Sequence, residues 1–202
     1  MVAQSDRTFD GSVAFSYSPF NSKGAFLSVH NVETIDWNTW SPTDRAVIVF
    51  VRQKGRILLI RKKRGLGSGK INGPGGRLED GESYGEAAVR ETEEEVGITP
   101  HHLVRVADLS FVFTDGYSLY VEVFLGEDFT GTLIETEEAA PFWCPVDRIP
   151  YAEMWEDDRL WLPRVLGGAY VSGRFVFDGD RMLSQAVSVL PRSGSAESAS
   201  TN

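Results

Sequence analysis

Apolar residues recur along this chain in two rhythms, and the switch between them divides it. Residues 46–51 and 56–60 are short β-branched or aliphatic runs parted by Gln53, Lys54 and Gly55, which predicts a hairpin. From 83 to 96 the pattern changes. Pro is absent, Gly occurs only at Gly85, and Ala87, Ala88, Val89 and Thr92 sit among charges as on an amphipathic helix. Strands are then predicted at 104–113 and 118–125, joined at Asp115 and Gly116, and again at 130–135 and 142–146. Residues 157–166 predict a second helix, and 174–178 with 182–189 a closing strand pair. Mixed strands with two well-separated helices predict the α/β class, as an α/β/α sandwich around a mixed sheet.

The ends read differently. Residues 1–44 scatter Phe9, Phe15, Tyr17, Phe20 and Phe26 among Ser, Gly and Asn; the alternation at Val13, Phe15 and Tyr17 allows a short strand or hairpin. This stretch reads as an extension packed on a main domain at 45–190, with Trp37 and Trp40 as candidate anchors. Residues 191–202 are rich in Ser, Ala and Gly and read as a disordered tail.

With 42% hydrophobic and 24% charged residues, the 202-residue chain suits one globular domain with tails. A formal charge of −9 argues against a general nucleic-acid binder, which needs basic patches. No apolar run is long enough to cross a membrane and the N-terminus lacks the pattern of a secretory signal, so a cytoplasmic monomer is expected. Cys144 is the single cysteine and reads as packing, with no disulfide to form.

The densest chemistry lies between 76 and 98. Glu91, Glu94 and Glu95 fall at i, i+3 and i+4 on one helical face, where like charges repel. A divalent cation removes that cost, and hard carboxylate oxygens suit Mg²⁺, which keeps waters and reaches into phosphates. Arg90 lies four residues after Glu86 and four before Glu94, so it can hold a carboxylate bidentately. A glycine-rich loop at 65–76, with six glycines, precedes this segment and can bring backbone N–H groups to an anion. The basic run Arg61, Lys62, Lys63 and Arg64 stands beside it, either as a phosphate contact or as an ordinary solvated strand end. A calcium loop fits poorly, because the acidic residues are helical and lack alternating loop spacing.

Gly76, Glu82, Arg90, Glu91, Glu94, Glu95, Gly97 and Ile98 match the pattern G-x5-E-x7-R-E-U-x-E-E-x-G-U, with Thr92 at the first U position as a mild departure. The chain thereby resembles the Nudix hydrolases, which cleave nucleoside diphosphates linked to another group with Mg²⁺ or Mn²⁺. The segments KINGPGGRLEDGE, DLSFVF and IPYAEMWEDDRLWLP resemble the branch related to MutT that hydrolyses oxidised purine nucleoside triphosphates. That resemblance implies a metal set of Gly76, Glu91, Glu94, Glu95 and Glu138, with Glu137 as a neighbouring competitor. Glu94 would ligate the metal or orient the water, Glu138 would be a second metal ligand or the base, and Arg90 would orient the carboxylates. It further implies phosphate contact by Lys62 and purine contact by Asn72, Phe111, Phe113, Trp155, Asp157 and Asp158, with Trp161 as another wall.

Oxidation of guanine at C8 adds a carbonyl and an N7–H, a changed pattern that an amide and two carboxyl groups can match. One of two adjacent aspartates in an apolar pocket is expected to hold a proton near neutral pH. The plainer reading of Trp155 to Asp158 is a helix N-cap made by Asp157 or Glu156. Val47, Leu66 and Ile71 depart from the branch pattern, which has a hydroxyl-bearing, an aromatic and a tryptophan residue there, so a wider pocket is expected. The rival expectations are another nucleoside diphosphate derivative as substrate, such as ADP-ribose, a dinucleotide, a nucleotide sugar or a capped RNA end, and a nucleotide sensor without turnover.

Overall fold

The computed structural model describes residues 30–190. The predicted strand near residue 15 and the tail at 191–202 lie outside the described residues. In chain order the elements are β1 (Asp44–Gln53), β2 (Arg56–Lys62), β3 (Ile71–Asn72), α1 (Tyr84–Val96), β4 (Ile98–His101), β5 (Val104–Phe113), β6 (Ser118–Gly126), β7 (Asp128–Gly131), β8 (Ala139–Pro145), α2 (Asp158–Leu166), β9 (Tyr170–Asp178) and β10 (Arg181–Leu190). The main sheet runs β10-β9-β5-β6-β1-β2-β3, with β8 also on β2. β1 is parallel to β6 and β5 is parallel to β9, while the other neighbours are antiparallel. The sheet is therefore mixed, as the order of elements predicted.

β1 explains the layering. Successive side chains of a strand point to opposite faces. Val47, Val49 and Val51 join Ala87, Ala88 and Val96 of α1 in one core, and Ala46 and Phe50 join Trp161, Leu162 and Val165 of α2 in the other. β2 repeats the division, with Leu58 and Ile60 toward α1 and Ile57 and Leu59 toward α2. Both faces are covered, so both strands are unbroken apolar runs through their middles, Ala46 to Val51 and Ile57 to Ile60. Trp161 is fully buried at the centre of the α2 core; truncating it to Ala should cost about 3–5 kcal/mol.

β1 and β2 pair only through Arg52–Ile57 and Gln53–Arg56, and then diverge. The end of the glycine-rich loop fills the fork. β3 pairs with β2, and the next residues pair with β1, where Val49 N donates to Pro74 O at 2.8 Å and Val47 N to Gly76 O at 2.9 Å. Only glycine fits this inlay: a Cβ on Gly73 would stand 2.5 Å from the Val49 carbonyl oxygen, and one on Gly75 would stand 2.1 Å from that of Val47.

α1 has defined ends. Ser83 Oγ accepts from Glu86 N while the Glu86 carboxylate takes Ser83 N–H, a reciprocal cap, and Gly97 closes the helix at φ 76°. Residues 30–43, the described part before β1, pack on the last two strands through Val32 N to Ser184 Oγ at 3.2 Å. The Trp37 ring, 5.2 Å from that of Trp40, carries Arg174 at 4.8 Å, so Trp37 does anchor this segment. β4 pairs with β7 in a small separate sheet. Sequence periodicity misses β4, a four-residue strand containing Pro100, and sets β7 too late. Among the described residues no helix is long and apolar enough to cross a membrane.

Candidate active site

Three carboxylates of α1 have three environments. Glu95 is 1% exposed, and its burial is compensated by Lys62 Nζ on Oε1 at 3.0 Å and Gly75 N–H on Oε2 at 2.9 Å. Glu91 is mostly buried and receives Arg90 Nη1 at 3.0 Å. Burial pushes its carboxyl above the ordinary range; Arg90 opposes this, and the charges of Glu95 and Glu94 add to it. Glu94 stays 62% exposed, with a longer contact to Arg90 at 3.3 Å.

Arg90 organises this end, and of the two carboxylates its spacing suggested it touches Glu94 but not Glu86, while its two-pronged partner is a third. Its Nε and Nη2 hold both oxygens of Glu82 at 2.7 and 2.8 Å, and Nη2 also reaches the Arg77 carbonyl at 3.0 Å. Glu86 is instead taken by the Ser83 cap. Glu82 lies before the helix and folds back beside Arg90, which allows the two-pronged geometry that helical i, i+4 spacing does not favour. Arg90 holds the Glu82 carboxyl down to about 2. Gly76 matters sterically: a Cβ there would lie 2.4 Å from the Glu91 carboxylate.

Of the basic run, Arg61 pairs with Glu153 at 2.7 Å, Lys63 with Glu135 at 2.7 Å and Arg64 with Glu138 at 2.8 Å, while Lys62 turns onto Glu95. Among the described residues no three of His, Cys, Asp and Glu already converge as a metal cage. The donors do fit a divalent cation: hard oxygens of Glu91 and Glu95 lie beside Gly76, and their mutual repulsion is what a cation would relieve.

The other end of the same space is apolar with buried acids. A cleft of about 550 Å³ is lined at one end by Lys62, Glu91 and Glu95 and at the other by Asn72, Phe111, Phe113, Trp155, Asp157 and Asp158, with Glu138 and Gly76 also on its wall. Glu94 is the one predicted site carboxylate that does not line it. Asn72 is fixed by accepting from Gly73 N at 2.8 Å. Asp157 and Asp158 are each 2% exposed. Asp157 Oδ2 accepts from Trp161 Nε1 at 2.9 Å while its Oδ1 has no partner, and Asp158 Oδ2 accepts from Trp155 N at 3.0 Å. Burial, opposed by the Trp161 bond, raises the Asp157 carboxyl to about 6; burial and then the charge of Asp157 raise Asp158 well above the usual range. Asp157 makes no side-chain cap on α2, so the capping explanation for this residue fails.

A NUDIX domain model matches residues 42–165. The chain belongs to the Nudix family. Among Nudix relatives, the oxidized purine nucleoside triphosphate hydrolase of Danio rerio is 41% identical over 133 residues, 65% of this chain and 85% of that one. The protein of the same description from Mus musculus is 39% identical over 142 residues, 69% and 91% of the two chains. The solved MutT protein of Bacillus halodurans superposes with a TM-score of 0.64 at 24% identity, covering 71% of this chain and 97% of its own. That likeness establishes the Nudix fold, with its mixed sheet between helices. The chain is a Nudix hydrolase.

Sequence reading missed several cleft residues. Leu109 precedes Phe111 and Phe113 by the strand period of two, and Leu119 and Val121 on β6 share that wall. The period was available as a signal. Tyr117, held by its hydroxyl to Asp44 Oδ2 at 2.9 Å, gave none, because its partner lies 73 positions away.

Proposed function

We propose that this chain hydrolyses oxidised purine nucleoside triphosphates to the monophosphate and pyrophosphate, using Mg²⁺ or Mn²⁺, and so clears damaged precursors from the nucleotide pool. The observation that carries the reading is the continuity of one cleft from Lys62, Glu91 and Glu95 to Asn72, Asp157 and Asp158. A nucleotide needs such a space, charged where its phosphates lie and dry where its base is read. The names of the Danio rerio and Mus musculus relatives support the same substrate class.

In this reading Glu91 and Glu95 hold the metal, with a backbone carbonyl near Gly76 and with Glu94 as ligand or water orienter. When bound, the metal neutralises phosphate charge. Lys62 contacts phosphate. Water adds to a phosphorus of the triphosphate, the bridging P–O bond breaks, and pyrophosphate leaves. Glu138 lines the cleft and takes the proton from that water or serves as a second metal ligand. At the far end, Asn72 and the aspartates read the base edge. A protonated Asp158 donates where an ionised Asp157 accepts, and the Phe111, Phe113, Trp155 and Trp161 rings form the walls. We further read the protein as a monomer acting on a free small nucleotide in the cytoplasm.

The test is pyrophosphate release with Mg²⁺ from 8-oxo-dGTP, 2-hydroxy-dATP, dGTP and dATP, beside monophosphate release from ADP-ribose and a dinucleoside polyphosphate. Oxidised purines should lead in kcat/KM by roughly tenfold or more, about 1.4 kcal/mol of discrimination. A lead by ADP-ribose or the dinucleotide would leave the Nudix chemistry standing and overturn the base-reading role of Asn72, Asp157 and Asp158.

A further inference from the structure

We infer that Lys70 is a positioning residue for the base-reading end of the cleft, holding Trp155 and through it Asp158. The inference rests on the nucleotide reading above. Lys70 lies within the glycine-rich loop, just before β3, and its Nζ lies 4.9 Å from the centre of the Trp155 ring and 3.0 Å from Asp180 Oδ2 in the β9–β10 turn. Trp155 lines the cleft whereas Lys70 does not. The cation therefore touches Trp155 without itself lining the cleft.

The rest of the ring is equally confined. Phe113 and Phe177 meet it edge to face at 6.2 and 5.4 Å, and a Cβ on Gly67 would come within 2.9 Å of its Nε1. The backbone N–H of Trp155 donates to Asp158 Oδ2 at 3.0 Å, so one residue sets both the aromatic wall and the carboxyl. Burial and then the charge of Asp157 raise the Asp158 carboxyl, and Lys70 works against both. A second tie, Met182 N to Glu156 Oε2 at 3.1 Å, holds the β9–β10 hairpin to the same lip.

A plain surface ion pair would explain Lys70 if both partners were solvated. They are not alike: the Lys70 side chain is 22% exposed and that of Asp180 is 74% exposed. The ammonium sits between the indole and the Asp180 carboxylate, where a partly desolvated cation gains more from the ring than a solvated one. The phosphate end has its own cations in Lys62 and Arg64. Loss of Lys70 should consequently disturb base binding and spare phosphoryl transfer.

The experiment compares Lys70→Met, Lys70→Arg and Asp180→Ala in the full chain, by steady-state kinetics and by tryptophan emission without ligand. Lys70→Met should raise KM for the preferred nucleotide about tenfold with kcat within about twofold, and Lys70→Arg should restore most of it. Asp180→Ala should shift KM the same way by a smaller factor. Lys70→Met should also change the emission spectrum, and that change should vanish in a Trp155→Phe background. Unchanged KM, an equal loss in KM and kcat, or an emission change that persists without Trp155 would each overturn the role. If the wild type prefers a substrate other than oxidised purines, the functional reading fails separately. KM is then followed on that substrate, and the emission test stands unaltered.

Discussion

At the α1 end of the cleft, Glu82 and Glu91 lie against Arg90 and Glu95 against Lys62. At the α2 end, Asp157 and Asp158 form no ion pair among the described residues, and one carboxylate oxygen of Asp157 is buried without any partner. Glu91, Glu95 and the two aspartates are all largely buried, and what separates the groups is the countercharge beside the first. In the proposed reading, Glu91 and Glu95 of the first group would hold the metal that meets phosphate. Burial without a paired cation raises both carboxyls of the second pair, and in the proposed reading Asp158 donates where Asp157 accepts. On that reading a single cleft treats the charged and the uncharged halves of one nucleotide differently.

The hardest way to break the comparison is Glu95→Gln. It keeps the shape and removes the charge between Lys62 and Gly75, and kcat should fall at least ~100-fold with the circular dichroism spectrum retained. Next in size are Asp157→Asn and Asp158→Asn, each expected to cost about 10- to 100-fold in kcat/KM for an oxidised purine and far less in metal affinity. Titration calorimetry with Mn²⁺ separates the two quantities.

The same Asp157→Asn variant sharpens the contrast through pH. Between the ordinary value of 3.8 and about 6, the folded state keeps a proton on Asp157 that the unfolded chain has lost. Stability from this group therefore falls as pH rises through that window and stays lower above it. Thermal melts at pH 5 and pH 7.5 should show this decline in the wild type and a weaker one in the variant, which should melt higher at the upper pH.

Lys62→Ala comes third, with KM raised roughly tenfold and a smaller loss in kcat, since the side chain touches both the phosphate space and Glu95. The smallest effect belongs to Leu66→Phe. Leu66 lines the cleft and is 46% exposed. An aromatic ring there should lower KM for purine triphosphates by about threefold.

The α1 end was legible because its residues are close in sequence. Helical periodicity alone puts Glu91 and Glu95 on one face, and Gly76 to Ile98 carries the family pattern in one window. Even there the reading failed where the chain turns back: Glu82 lies before the helix, so counting turns could not pair it with Arg90. The α2 end depended on resemblance. Asn72, Phe111 and Asp157 come from three separate elements, and only the fork between β1 and β2 and the packing of α2 on the sheet bring them to one wall. The strands were readable as apolar runs, whereas parallel pairing of β1 with β6 leaves no local trace.

The cap at Ser83 and Glu86 also limits which length changes the chain can tolerate. It fixes where α1 begins, and the glycine inlay fixes where the preceding loop ends. One residue inserted between Ser83 and Glu91 would rotate every later side chain by about 100° and carry Glu95 away from Lys62. Insertions and deletions should therefore be lethal to activity between Ser83 and Glu95, however hydrophilic and exposed the inserted residue.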